Sequence, residues 1–134
     1  MDTVFLDANV LFSVAYAPGS RLLKLWSLAD AQLVTSLFAL EEARRNLSAY
    51  DRNSIAALDE LAAKMTIVAG VRLGELPEGA HLADKDVPIL LAAIDSGCSH
   101  LLTGDKQHFG ALYGRNIGGV LIQTPSQYLR SRDR

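Results

Sequence analysis

The sequence contains a single cysteine, Cys98, among 134 residues. No disulfide can form within the chain, which fits a reducing compartment, and a lone thiol in SGCSH reads as a small packing residue. Cysteines and histidines do not cluster at zinc spacing. No apolar run approaches the roughly 18 residues of a membrane-crossing helix. The opening, MDTVFLDANVLF, has no basic segment ahead of its apolar stretch and no cleavage site, so it does not read as a signal peptide. A soluble, cytoplasmic protein with no membrane partner is expected. Internal repeats, linkers and low-complexity stretches are absent. So is a strong charge imbalance: 13 Lys and Arg against 15 Asp and Glu leave −2. This argues against a protein that wraps duplex DNA, which is expected to be basic overall. It leaves room for an enzyme on nucleic acid, with acids gathered at a metal site and Arg44, Arg45, Lys106 and the arginines from Arg115 to Arg134 around a rim. Those basic residues read equally well as solvated surface.

What is present is the composition of one globular domain over residues 1–134, 49% hydrophobic and 21% charged. A chain of this size buries roughly two thirds of its unfolded surface, enough for one core without staples. Strand and helix patterns alternate. TVFL reads as a strand and is followed by a helical stretch broken at Pro18-Gly19. Ser20 can cap a helix with Leu22, Leu25, Trp26 and Ala29 on one face. QLVT is a second strand, and Ser36 can cap the helix LFALEEARRNL. Asn53 or Ser54 opens another helix, and TIVA is a third strand. Gly70 to Lys85, with Gly74, Gly79 and Pro77, is a long loop of the kind that is often functional. Asp86 and Pro88 open the apolar helix DVPILLAAIDSG. HLLT and GVLIQ are the fourth and fifth strands. Thr124-Pro125-Ser126-Gln127 has the form of a capping box for a final helix. Strands that are apolar without alternation predict an α/β fold with a parallel sheet of four to five strands and helices on both faces. Ligands bind beyond the carboxyl ends of such strands.

Two of the apolar runs break on an aspartate: VFLDANVLF at Asp7, and HLLTGDKQHF at Asp105. Asp7, between Leu6 and Ala8, is costly if left unpaired, although it can also cap the following helix. Asn9 could hold it by a side-chain hydrogen bond. Asp105 is either functional or a turn residue after Gly104, and Thr103 could orient it. Glu41 and Glu42 both lie off the leucine stripe of their helix. Glu41 has Arg45 four residues on, in the favourable order. Glu42 has only Asn46, and on helical geometry it is the better functional candidate. Asp86 is a natural N-cap, which does not exclude a metal-ligand role. Asp84 is a weaker candidate, and Asp95 reads as surface. Crowded carboxylates raise one another's pKa unless a cation sits among them. Oxygen-only ligands suit Mg²⁺ or Mn²⁺ rather than zinc, and such a site serves phosphodiester hydrolysis.

LDANVL at 6–11, EEARRNL at 41–47 after Ser36, KDVPILLAA at 85–93 and LLTGDKQHF at 101–109 together resemble a PIN-domain ribonuclease. GGVLIQTPSQYL at 118–129 resembles the closing strand and helix of its VapC-like toxin branch. The resemblance spans the chain in order. It implies metal-ligand and catalytic roles for Asp7, Glu42, Asp86 and Asp105, with Asn9 and Thr103 in support. It also implies Mg²⁺- or Mn²⁺-dependent cleavage of single-stranded RNA, a homodimer and a cognate antitoxin. Arg45, Lys106 and His108 are candidates for phosphate contact or plain surface residues. A haloacid-dehalogenase-like phosphatase would want an aspartate where Asn9 stands, and a receiver domain an acidic pair that is missing. A non-catalytic scaffold that binds RNA or protein is the remaining rival.

Overall fold

A computed structural model describes residues 1–69 and 74–132. The elements run β1 (Asp2–Leu6), α1 (Ala8–Tyr16), a 3₁₀ helix (Arg21–Ser27), β2 (Ala31–Ser36), α2 (Leu37–Tyr50), α3 (Ser54–Ala62) and β3 (Thr66–Val68). Then follow α4 (Val87–Asp95), β4 (His100–Leu102), α5 (Lys106–Phe109), a 3₁₀ turn (Gly110–Leu112), β5 (Asn116–Ile117), β6 (Val120–Gln123) and α6 (Pro125–Arg132). The expected α/β architecture is present. Six strands form one sheet in the order β3-β2-β1-β4-β6-β5. Five run parallel and β5 pairs antiparallel with β6.

The central parallel strands, β1 and β4, are covered on both faces. Successive residues of a strand point to opposite faces, and Val4, Phe5 and Leu6 are all fully buried, as are Leu101 and Leu102. Helices α1, α2 and α3 pack on one another, and α4 lies against β2 and β4. Cys98 is buried, as a packing residue should be.

Capping follows the sequence at some positions and departs from it at others. Ser36 accepts the Ala39 N–H at 3.0 Å, and the Thr124/Gln127 box closes with two reciprocal 3.0 Å bonds. Ser20 caps its segment through the Leu22 N–H, but the segment is 3₁₀ and stops before Ala29. Trp26 donates its indole N–H to the Leu61 carbonyl at 3.1 Å. Asn53 makes no side-chain cap. Asp51 takes that role, accepting from the Asn53 N–H and the Ser54 hydroxyl. Of the predicted loop 70–85, residues 70–73 lie outside the described residues. Its remainder is turn and irregular backbone, tied to Arg115 through the Gly79 carbonyl.

The sixth strand was not expected. Asn116-Ile117 pairs with Leu121 and Val120 across Gly118-Gly119. Both glycines have positive φ, 60° and 91°, the backbone of a two-residue hairpin turn. A Cβ at Gly118 would also lie 2.9 Å from Ile94 Cδ1, whereas Gly119 faces open space. Gly118→Ala is therefore expected to destabilise more than Gly119→Ala. Each bears a backbone cost of about 1–2 kcal/mol, and only the first adds a clash with the α4 side chain. Urea melts of the two variants check the order.

Candidate active site

The strand register decides where the aspartates lie. β1 and β4 are neighbours, with Leu6 opposite Leu102. The chain leaves both at the same sheet edge, and the Asp7 N–H still bonds the Leu102 carbonyl. Asp7 is only 4% exposed. Its Oδ1 accepts the Ala8 N–H at 2.7 Å. Its Oδ2 accepts the Thr103 hydroxyl at 2.8 Å and the Asn9 amide at 3.2 Å. Asn9 bridges further, from its amide to Thr103 Oγ1 and from its Oδ1 to the Gly104 N–H at 2.8 Å. Asp7 thus stands at the helix N-cap position, but its bond goes to the first helical residue.

Burial pushes the Asp7 carboxyl from an ordinary 3.8 to about 6, with Glu42 and Asp86 pushing the same way against the Thr103 and Ala8 hydrogen bonds. Asp86 is buried too, and burial raises its carboxyl, with Asp105 adding to the rise and His108 and Lys85 opposing it. Four segments therefore bring Asp7, Glu42, Asp86 and Asp105 into one electrostatic neighbourhood. Glu42 and Asp105 line a common cleft of about 760 Å³ with Asn9 and Asn46. Glu41 is exposed. The expected Glu41–Arg45 pair is not formed among the described residues, and Arg44 instead pairs with Asp59 at 2.6 Å. Arg45 is exposed. Lys106 lies in an adjoining depression of about 430 Å³ with Ser126, Gln127 and Arg130.

His108 departs most from expectation. Its Nδ1 lies 2.6 Å from Asp105 Oδ2 and 3.4 Å from Asp86 Oδ2, so it sits among the acids rather than on a phosphate-facing loop. The cause is local. Asp105 caps α5 by accepting the His108 N–H at 3.1 Å, and one turn of helix returns the imidazole to the same carboxylate. The spacing of Asp105 and His108 was the available signal. Tyr113, also not anticipated, donates to the Thr103 carbonyl at 2.8 Å and steadies the end of β4.

Asp86, Asp105 and His108 each offer one ligand atom, all within 4.8 Å of one another. Asp86 sits where a cap would, yet makes no capping bond. Its Oδ2 is buried without a hydrogen-bond partner. An unsatisfied buried carboxylate oxygen is costly, and a cation would satisfy it. The donors are mainly hard oxygens with one imidazole nitrogen, a set that fits Mg²⁺ or Mn²⁺.

The pH dependence has a definite sign. Asp7 binds its proton more tightly folded than unfolded. Its contribution is most favourable below pH 4 and is lost as pH rises through about 6. The shift corresponds to about 3 kcal/mol at neutral pH, and Asp86 acts in the same direction. Without divalent ions, wild-type stability attributable to these groups is expected to fall between pH 4 and pH 7. Asp7→Asn should flatten that slope in chemical melts across the range.

No protein-family model matches the chain, and no curated protein does. Solved structures do. VapBC2 from Rickettsia felis, bound to a DNA fragment from its promoter, aligns with TM-score 0.65 and 16% identity over 91% of this chain and 98% of that one. VapBC-1 from nontypeable Haemophilus influenzae gives 0.61 and 16% over 92% and 98%. Mycobacterium tuberculosis VapC20, a sarcin–ricin loop cleaving toxin, gives 0.59 and 12% over 81% and 94%. Identity this low carries the fold alone, and the fold is the PIN-like fold of the VapC toxins.

Proposed function

We propose that the chain is a divalent-metal-dependent endoribonuclease that cuts single-stranded RNA. We propose further that it is a single-domain toxin paired with an antitoxin protein. The observation that carries this reading is the cluster of Asp86, Asp105 and His108, with Asp86 Oδ2 buried and lacking a hydrogen bond, and it draws further support from the electrostatic coupling of Asp7 to Glu42 and Asp86. Burying such a group costs free energy that a bound cation would offset. Asp7, Glu42, Asp86 and Asp105 would hold the ion, with His108 adjacent. Mg²⁺ or Mn²⁺ bound there would lower the pKa of a water and steady the leaving oxygen.

The chain's own residues do the positioning. Thr103 and Asn9 fix Asp7 Oδ2, and Thr103 Oγ1 also accepts the Asp105 N–H at 3.2 Å. One hydroxyl thereby sets both strand-end aspartates. His108 Nδ1 lies between the two carboxylates, 3.4 Å from Asp86 Oδ2 and 2.6 Å from Asp105 Oδ2. Lys106 and Arg130 flank the cleft where a phosphate backbone would leave it. The antitoxin part of the reading draws support from the VapBC neighbours, and the homodimer part rests on the family resemblance.

Three substitutions test the nuclease reading. Asp7→Asn, Glu42→Gln and Asp105→Asn should each lower cleavage of a generic single-stranded RNA by about a hundredfold or more, with circular dichroism unchanged. Glu41→Gln should cut like the wild type. RNA that is bound but left uncut with Mg²⁺ or Mn²⁺ present would instead identify a non-catalytic binding module. Separately, Mn²⁺ should raise the melting temperature at pH 7 by several degrees through ligand linkage, and Asp86→Asn should abolish most of that rise.

A further inference from the structure

The cleft that holds Glu42 and Asp105 carries aromatic rings along with them. Phe12 and Tyr16, on α1, stack with centroids 5.5 Å apart and planes 16° from parallel. Tyr50, the last residue of α2, meets Phe12 edge-on at 5.7 Å and 81°. Phe12 packs against the core and anchors the group. The tyrosines stand out from it, Tyr16 50% and Tyr50 75% exposed.

The packing of the fold does not account for this exposure. The other two tyrosines, Tyr113 and Tyr128, have hydroxyls bonded within the chain. Those of Tyr16 and Tyr50 bond to nothing among the described residues. Glu42, Asn46 and Tyr50 follow one another at four-residue spacing, a single stripe along α2. At 1.5 Å of rise per residue, Tyr50 lies about 12 Å along the helix from Glu42. The acids and the rings therefore belong to one groove, and a single strand can reach both.

Ring chemistry and cleft lining favour a nucleobase over a protein segment. Grooves that take a partner helix present an apolar stripe to its anchors. Here polar Asn46 and Ser13 lie among the rings. Aromatic faces with polar neighbours suit unpaired bases, which have a π face and a hydrogen-bonding edge.

Building on the ribonuclease reading, we propose that Tyr16 and Tyr50 form a base-stacking subsite for an unpaired RNA base on the strand whose phosphodiester meets the acids. Asn46 is placed to contact the edge of that base. The subsite selects single strands, because a paired base has its faces covered by its neighbours in the duplex.

The probe is a short fluorescent single-stranded oligoribonucleotide, read by anisotropy against the full chain carrying Asp7→Asn to block cleavage. Adding Tyr16→Ala or Tyr50→Ala should weaken binding by about tenfold or more. Tyr16→Phe and Tyr50→Phe should stay within about twofold, since the stacking face is kept. A matched strand with abasic positions should bind the tyrosine-intact chain as weakly as the alanine variants bind the full strand. It should lose nothing further when the tyrosines are removed. Both side chains are well exposed, so melting temperatures should not move. If the alanine variants bind as tightly as their parent, or abasic and intact strands bind alike, the subsite is overturned. Should the wild type still cut RNA in that case, the nuclease reading survives and the rings belong to a protein contact. A wild type that neither binds nor cuts RNA overturns both readings together.

Discussion

The carboxylate of Asp7 is the constraint around which the structure is arranged. It sits at the end of the central strand, directly after three fully buried residues, where water cannot solvate it. A charge in that place must be held by hydrogen bonds. Its donors come from two places far apart in sequence, the start of α1 and the end of β4. Those donors converge only because β1 and β4 pair in parallel with Leu6 opposite Leu102. A register slip of one residue would turn Thr103 to the other face of the sheet and leave Asp7 without its shortest side-chain bond.

The same parallel geometry explains why the acids meet at all. Every parallel strand ends at the same edge, so the segments that follow β1, β2 and β4 start from one side of the molecule. Asp7 follows β1, Glu42 lies on the helix that follows β2, and Asp105 follows β4. Asp86 reaches the edge by another route, from the loop ahead of α4. Burial raises Asp7 and Asp86 together, and the neighbouring acids add a smaller push the same way. His108 and the hydrogen-bond network oppose that rise without removing it.

Much of this was legible in the sequence, and the failures have physical causes. Apolar runs without alternation identified the buried parallel strands, and turn chemistry located most of the helix starts. Asp7 and Asp105 drew attention because each breaks an apolar run, while Asp86 read equally as a cap and joined the set through the family resemblance. The Glu42 register followed from the leucine stripe of α2, since a helix face is a local property. What escaped was set by contacts between distant segments or by very short elements. Two residues of β5 have no periodicity to read, although the Gly118-Gly119 pair was a usable hairpin signal. The helix α3 does open at Ser54 as read, but the side chain that accepts its first donors is Asp51 rather than Asn53. Asp86 had the sequence of a cap but settled with helical backbone dihedrals, φ −96° and ψ −16°, which aims its carboxylate elsewhere. Tyr16 and Tyr50 could not be paired before the packing of α1 against α2 was known.

The acids create a difficulty that the rest of the cleft resolves. A pocket dense in carboxylates repels a polyanion, and the chain as a whole is slightly negative. Long-range attraction for phosphates, which dominates binding by basic proteins, is weak here. Affinity for nucleic acid must then come from short-range terms. On the proposed nuclease reading, a cation among the acids would reverse the local sign where a phosphate would sit. Lys106 and Arg130 supply positive charge on one flank. Exposed rings on the other side of the cleft offer stacking that does not depend on net charge. Each of these would act only over contact distances, so on that reading a substrate strand would need to be flexible enough to satisfy all three at once. Single-stranded RNA meets that demand, and a stiff duplex does not.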